Sequence, residues 1–251
     1  MDRAYALRLA RSSRRDTGRV RLEGVHALKH AVRFGADVEV VVTPDAAALT
    51  KLLEQLAPDV GLPVAPGEVD AATWAELVGP SPEARAGRRT GAELPSPALS
   101  VAVRPEVPVV PGPEVPGRLV VLEEPRHLGN LGAVVRVAAA AGAAGVTVVG
   151  RADPWHPTAV RAGAGLQFAL PACGRVDALP ELERPLVALD PDAVDLQAGA
   201  LPPDAAILLG TERGGLSDAL RTRAERAVRI PMRAGVSSLN LATAAAVVLY
   251  A

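Results

Sequence analysis

Leu119-Val120-Val121-Leu122 runs directly into Glu123-Glu124-Pro125-Arg126-His127-Leu128-Gly129-Asn130-Leu131-Gly132-Ala133-Val134-Val135-Arg136. Four consecutive apolar residues read as a strand buried on both faces. The polar, glycine-bearing stretch after it reads as a loop opening a helix, predicted over Ala133–Ala141, with Asn130 as its N-terminal cap. Arg136 then falls near the first turn, where a cation opposes the helix dipole, so helix propensity gives no reason for it. Its bland alternative is an exposed surface arginine.

Downstream the pattern repeats. Val146–Val149, Leu186–Leu189 and Ile207–Leu209 are short apolar runs, and Ala219–Arg226 has helical character. Strands alternating with helices predict an α/β domain with a parallel sheet, whose ligands bind at loops beyond the strand ends. Leu239–Tyr250 is apolar nearly all round, a pattern that requires burial on every side and often means packing against another subunit.

Upstream, residues 105–117 carry five prolines. Proline cannot sustain a helix or donate to a ladder, so this stretch reads as an extended linker or connecting edge segment. It separates a first domain, 1–104, from a second, 118–251. In the first, Gly24–Phe34 is predicted helical with Val25, Leu28 and Val32 on one face, and Val38–Val42 is a strand. Ala46–Leu56 is a helix with Leu49, Leu52, Leu53 and Leu56 facing inward. Gly79–Pro97 is rich in Pro, Gly and Arg and reads as a mobile loop. This small α/β unit holds no cluster of catalytic residue types.

Composition narrows the class. The chain has 251 residues, enough for a sizeable core, and is 49% hydrophobic with only 2% aromatics, which suits tightly packed small side chains. The single Cys173 excludes an internal disulfide framework and a multi-cysteine metal site. No apolar run has the length of a membrane span, and Met1–Tyr5 lacks a signal-peptide core, so a soluble cytoplasmic protein is the expectation. Net charge is −1, yet residues 1–35 hold nine Lys/Arg against Asp2, Asp16 and Glu23. Such a basic N-terminal arm, with Arg11, Arg14 and Arg15 at its centre, suits RNA phosphates; equally it suits a solvated tail.

Two further segments carry chemistry. Ile207-Leu208-Leu209-Gly210-Thr211-Glu212-Arg213-Gly214-Gly215-Leu216-Ser217 places glycines after a buried strand, where backbone can approach a ligand. It lacks the Gly-Lys-Ser/Thr ending of a phosphate loop, and an ordinary turn before a helix is the alternative. Ile230-Pro231-Met232-Arg233-Ala234-Gly235-Val236-Ser237-Ser238-Leu239-Asn240 joins a strand end to the apolar helix. Taken alone, Ser237 or Ser238 is a helix cap.

Together the three segments resemble, in order, the signature motifs of the SpoU (TrmH-like) family of RNA 2′-O-ribose methyltransferases. Asn130, Gly132 and Arg136 match Asn-x-Gly-x-x-x-Arg. Gly210, Glu212, Gly215 and Leu216 match Gly-x-Glu-x-x-Gly-Leu. Pro231, Met232, Ser238, Leu239 and Asn240 match the Pro-Met…Ser-Leu-Asn ending. Pro154–Gly165 is similar to the segment after the family's second strand, with Gly163 where Ser or Thr is common. The resemblance covers 118–251; the first domain is loosely similar to the ribosomal-protein-like substrate-binding domain often found upstream.

The resemblance implies a parallel sheet with a trefoil knot, S-adenosylmethionine (SAM) as cofactor, and a homodimer. It places SAM on Gly210, Thr211, Glu212, Ile230 and Leu239, with Leu189 at the preceding strand end. It assigns the chemistry to Arg136, positioned with the ribose by Asn130, Glu212, Ser238 and Asn240. A guanidinium stays protonated, so its role is to stabilise the developing 2′-alkoxide or hold the adjacent phosphate. The substrate implied is RNA, ribosomal RNA ahead of transfer RNA, with Arg161 added to the basic contacts. Other classes fit less well. A non-catalytic RNA-binding module would not need Arg136, Asn130 and Asn240. A nicotinamide oxidoreductase lacks its Gly-x-Gly-x-x-Gly after a strand. His26 and His30, four apart without an adjoining glutamate, are better core or surface histidines than ligands, so no metal is expected.

Overall fold

A computed structural model of the chain describes residues 3–79, 98–211 and 214–251. Two compact units divide it, Met1–Pro105 and Glu106–Ala251.

In the first unit, strands β1 (Arg19–Glu23), β2 (Val38–Thr43), β3 (Gly67–Glu68) and β4 (Leu99–Val103) form one sheet in the order β1-β4-β2-β3. Helices α1 (Arg3–Ser12), α2 (Val25–Arg33), α3 (Ala46–Leu56) and α4 (Ala71–Val78) complete it. Val40, Val42, Leu99 and Val101 pack with Ala6, Leu9 and Ala10 of α1 and Trp74 and Leu77 of α4. The intervening Val41, Ser100 and Ala102 are fully buried too, so the sheet is covered on both faces. On α3, Leu49 and Leu53 are buried, while Leu56, predicted to face inward, is 39% exposed at the last position. The stretch predicted as a mobile loop lies outside the described residues from 80 to 97; Gly79 ends α4 with φ +66°.

The basic N-terminal arm begins as a packed helix and not as a solvated tail. Its first ten described residues are α1, whose apolar face is core. Arg11 pairs bidentately with Glu76 at 2.8 and 3.0 Å, and Arg14 donates to the carbonyls of Leu77 and Val78. Arg19 pairs with Glu39 and Asp16, and Arg33 with Asp59. Arg21, 1% exposed, donates to Ala10 O, Ser13 Oγ, Leu77 O and Glu23. Burial lowers its pKa, but a guanidinium with four acceptors stays charged and stitches α1 and α4 to β1. Of this charge Arg21 is internal, while Arg11, Arg19 and Arg33 make ion pairs at the surface.

The second unit is a six-stranded, wholly parallel sheet in the order β10-β8-β9-β5-β6-β7. Its strands are β5 (Leu119–Glu123), β6 (Gly145–Val149), β7 (Ala172–Val176), β8 (Leu186–Asp195), β9 (Ala206–Leu209) and β10 (Arg226–Arg229). The helices are α5 (Leu128–Ala140), α6 (Pro157–Ala162), α7 (Asp218–Arg223) and α8 (Leu241–Tyr250), with a 3-10 turn at Leu166–Ala169. Leu119, Val121, Ala206 and Leu208 pack with Leu216 and Leu220 on the α7 side. The alternate residues Val120, Leu122, Ile207 and Leu209 are as deeply buried, and α5 and α8 pack on each other and against β6 and β9. The helix predicted over Ala219–Arg226 stops at Arg223, because Arg226 already opens β10. Arg118 donates to Val248 O and Leu249 O, satisfying last-turn carbonyls of α8, and to Leu201 O and Pro202 O.

The proline-rich segment is not a free linker: from Glu106 onward it belongs to the second unit. Prolines lack N–H groups but keep their carbonyls, so such a segment docks on donors. Pro108 O accepts from Cys173 N of the edge strand β7 at 3.0 Å, and Val109 O from Thr147 Oγ1 at 2.7 Å. Arg184, 4% exposed, donates to the carbonyls of Gly112, Val115 and Gly117.

Candidate active site

From β5 the chain builds outward through β6 to β7, then resumes on the other side of β5 with β8 and β9. The order therefore reverses between β5 and β9, the position at which open parallel sheets leave a crevice for ligands. Leu122 pairs with Leu209 and Ala188 with Leu208. Glu123, Gly210 and Leu189 thus emerge side by side, and the first and second motifs meet by topology.

The second-motif loop is closed on itself. Thr211 N donates to Gly215 O at 3.0 Å, Gly215 N to Thr211 O at 3.2 Å, and Gly214 N to Thr211 Oγ1 at 2.8 Å. A Cβ on Gly210 would lie 2.0 Å from Gly215 C and 2.2 Å from Leu216 N. Gly210 is needed so that the loop can return over its own strand end, rather than only for close approach of a ligand. Glu212 and Arg213 lie outside the described residues, so the roles predicted for Glu212 have no structural account. Ser217 then caps α7 through Leu220 N and donates its own N–H to Glu123 Oε2 at 2.7 Å.

The first motif departs from its predicted form. Helix α5 begins at Leu128 behind His127, five residues before the predicted start, so Asn130 is inside the helix and does not cap it. Arg136 accordingly sits in the third turn, about 12 Å along the axis, too far for the dipole argument to apply. It is exposed and, among the described residues, carries no hydrogen bond or ion pair. Gly132 is a packing residue: a Cβ there would lie 2.2 Å from Ala159 O and 2.7 Å from Ala162 Cβ of α6. Glu124 turns the chain with φ +42°, and its carboxyl group lies against Gly150.

In the third motif, Ile230 is half-buried and residues 233–240 are exposed. The cap of α8 is Asn240 rather than Ser237 or Ser238: its Oδ1 accepts from Ala242 N at 2.9 Å. Its Nδ2 donates to Asn130 Oδ1 at 3.2 Å, joining the first and third motifs across 110 positions. Ser238 and Leu239 stay on the exposed loop; Arg161 is exposed on α6.

Two residues at this end have no part in the motif reading. Asp190, 6% exposed, pairs with Arg221 of α7 at 3.0 Å and accepts from Asp192 N. It sits where β8 leaves its partner: Ala188 pairs with Ala227 but Val194 with Val228, so Leu189–Ala193 bulges out. Glu123 is the other. The only sequence signal for either is an acid directly at the end of an apolar run.

Among the described residues, no group of three or more His, Cys, Asp or Glu is placed to hold a metal ion, and no helix is long and apolar enough to cross a membrane.

A parallel α/β sheet with three motif loops converging at its reversal point defines a ligand-binding domain of the SPOUT type. The chain belongs to the SpoU rRNA Methylase family, whose profile matches residues 117–250. It is 37% identical over 144 residues to a 23S rRNA (uridine(2479)-2′-O)-methyltransferase of Streptomyces viridochromogenes, covering 52% of this chain and 50% of the relative. A 23S rRNA (adenosine(1067)-2′-O)-methyltransferase of Streptomyces azureus is 32% identical, with 53% of each covered. The chain thus spans about half the length of the curated relatives it matches. Over nearly the whole chain the fold is similar to the crystal structure of an RNA 2′-O ribose methyltransferase, at 28% identity, TM-score 0.70, and 98% and 93% coverage of the two chains. It is also similar to the SpoU methyltransferase AviRb of Streptomyces viridochromogenes in complex with AdoMet, at TM-score 0.72 with 100% and 96% covered; at 24% identity that likeness speaks for the fold alone.

Proposed function

We propose that this protein is a SAM-dependent RNA 2′-O-ribose methyltransferase acting on ribosomal RNA in the cytoplasm. The observation that carries the reading is the Asn240–Asn130 hydrogen bond, which ties the third motif to the helix bearing Arg136. Family membership and the names of the relatives support the reaction and the RNA class.

Bound SAM would supply an electrophilic methyl group. The donor set fits such a group: Leu189–Ala193 and the exposed loop after Ile230 offer main-chain groups outside the sheet ladder. Gly210, Thr211, Glu212, Ile230, Leu239 and Leu189 are the residues proposed to hold it. Arg136, exposed and without a partner among the described residues, is available to a ribose oxygen or its neighbouring phosphate. It stabilises negative charge there, or holds the adjacent phosphate so that the phosphate accepts the 2′-hydroxyl proton; the guanidinium itself does not take it. Asn130, Asn240 and Ser238 orient that helix and the ribose.

RNA contacts are assigned to the outer face of α1 and to Arg161. Arg8, Arg11, Arg14 and Arg15 line one shallow depression. Because Arg11 and Arg14 already have protein partners, Arg8 and Arg15 carry more of the phosphate contact than sequence alone suggests.

A homodimer and a trefoil knot complete the proposal. The outward side of α8 shows Val247 at 38% and Tyr250 at 68% exposure, and the loop before it Val236 at 49% and Leu239 at 39%. A two-fold contact would cover this stripe.

Transfer of labelled methyl groups from SAM to ribosomal RNA and to transfer RNA tests the assignment. Labelling of ribosomal RNA supports it. Exclusive labelling of transfer RNA would replace the substrate, and RNA binding without transfer would leave a non-catalytic module.

A further inference from the structure

The Gly210–Ser217 loop leaves β9, and in the sheet β9 lies between β8 and β5. Each neighbour carries, beyond its pairing with β9, a carboxylate that reaches across to the far end of the loop or the helix after it. Glu123, last in β5, accepts from Ser217 N at 2.7 Å, 94 positions away. Asp190, in β8 beyond its pairing with β9, accepts from Arg221 Nη1 at 3.0 Å. Both attachments fall on α7 or its capping residue, and α7 has only six residues, too few to hold a helical conformation unaided.

Asp190 has a second task. Its other oxygen accepts from Asp192 N, shaping the Leu189–Ala193 bulge. A carboxylate 6% exposed is tolerated because both oxygens are satisfied. One buried group therefore links the bulge containing Leu189 to the helix that closes the Gly210 loop.

We propose that Glu123 and Asp190 are positioning residues that clasp, from both sides, the Gly214–Ser217 arm and the α7 helix it leads into. They hold that arm, together with the Leu189 bulge, in the shape that binds the cofactor. The identity of that cofactor as SAM rests on the function proposed above; the clasp itself is a property of the free protein. Its consequence is for cofactor affinity and not for the methyl-transfer step, because neither carboxylate belongs to the group carrying Arg136, Asn130 and Asn240.

The test compares Glu123→Ala, Glu123→Gln, Arg221→Ala and Arg221→Lys with the parental chain. Amide hydrogen exchange of residues 214–223 is measured without ligand, and SAM is titrated by calorimetry. Glu123→Ala should speed exchange across 214–220 while β5 and β9 stay protected. It should also weaken SAM binding about ten- to a hundredfold, the value of one hydrogen bond to a charged group. Turnover at saturating SAM should stay within about twofold of parental, since only binding is lost. Glu123→Gln should recover most of both effects, because its amide oxygen still accepts from Ser217 N. Arg221→Ala, at a half-exposed position, should loosen the same segment, and Arg221→Lys should restore it in part. Unchanged exchange in both alanine variants, or a glutamine variant as impaired as alanine, would overturn the clasp. So would loss of turnover at saturating SAM with affinity intact. If the parental protein fails to bind SAM, the cofactor assignment falls, while the exchange measurements still decide the clasp.

Discussion

Asn240 Nδ2 donates to Asn130 Oδ1 at 3.2 Å while Asn240 Oδ1 caps α8 through Ala242 N. One side chain thus starts the last helix and fastens it to α5. Asn240→Ala should lower thermal stability by about 1 kcal/mol through the lost cap. Asn240→Asp keeps the cap but puts a second acceptor against Asn130. It should therefore restore stability, yet leave methylation close to the alanine value. Full activity in the aspartate variant would show that the cross-link is dispensable.

Gly210 faces the returning strand of its own loop, with Gly215 C only 2.0 Å from any added Cβ. Gly210→Ala should open the Thr211–Gly215 closure and abolish measurable SAM binding at ligand concentrations that saturate the parental protein. The rest of the sheet should stay folded, judged by far-ultraviolet circular dichroism. Unaltered binding would mean that the loop relaxes at little cost.

The two kinds of arginine on α1 should separate experimentally. Neutralising Arg8 and Arg15 together should weaken RNA binding and reduce the slope of log affinity against log salt by about two, if each meets one phosphate. Replacing Arg14 should chiefly lower stability, because it removes donors to Leu77 O and Val78 O. A salt slope unchanged in the Arg8/Arg15 variant would return this face to ordinary solvated surface.

Acid should loosen the first unit mildly. Glu76 and Asp59 are held below the usual carboxylate range, first by hydrogen bonds from Arg11 and Arg33. A depressed folded pKa contributes stability above the unfolded value and loses it as pH falls through the folded one. Both pairs are exposed, so screening keeps the effect small. Thermal melts between neutral pH and about pH 3 should show less acid-induced loss in Glu76→Gln than in the parental chain. Equal losses would remove Glu76 from the account.

Much of the second unit is legible in the sequence because its central strands are continuous apolar runs: Leu119–Leu122 and Ile207–Leu209 are both found. Arg19–Glu23 is not, since Arg21 looks exposed until its four acceptors, on α1, on Ser13 after it, on α4 and on Glu23 of its own strand, are in place. Ala172–Val176 hides behind Gly174 and Arg175, and depends on the docked Val109 to cover it: a Cβ on Gly174 would lie 2.9 Å from Val109 Cγ2. Within the site, motif spacing locates Asn130, Gly210 and Asn240. It misassigns one of their tasks: capping by Asn130 is a local reading, whereas its place inside α5 and its bond from Asn240 are set by the fold. At Gly210 it misses a second task, the close return of Gly215 over the strand end. Glu123 and Asp190 carry no motif, and their roles exist only once β8, β9 and β5 lie side by side.

The central claim is methyl transfer to a ribose 2′-oxygen with Arg136 stabilising the charge that develops. Parental protein and Arg136→Ala should be incubated with SAM and saturating ribosomal RNA, and the RNA then digested to nucleosides for mass spectrometry. The account predicts a 2′-O-methylated nucleoside from the parental protein. It predicts a rate about a hundred- to a thousandfold lower for Arg136→Ala, with SAM affinity little changed. A methyl group on a base, or an Arg136→Ala variant working at the parental rate, would contradict it.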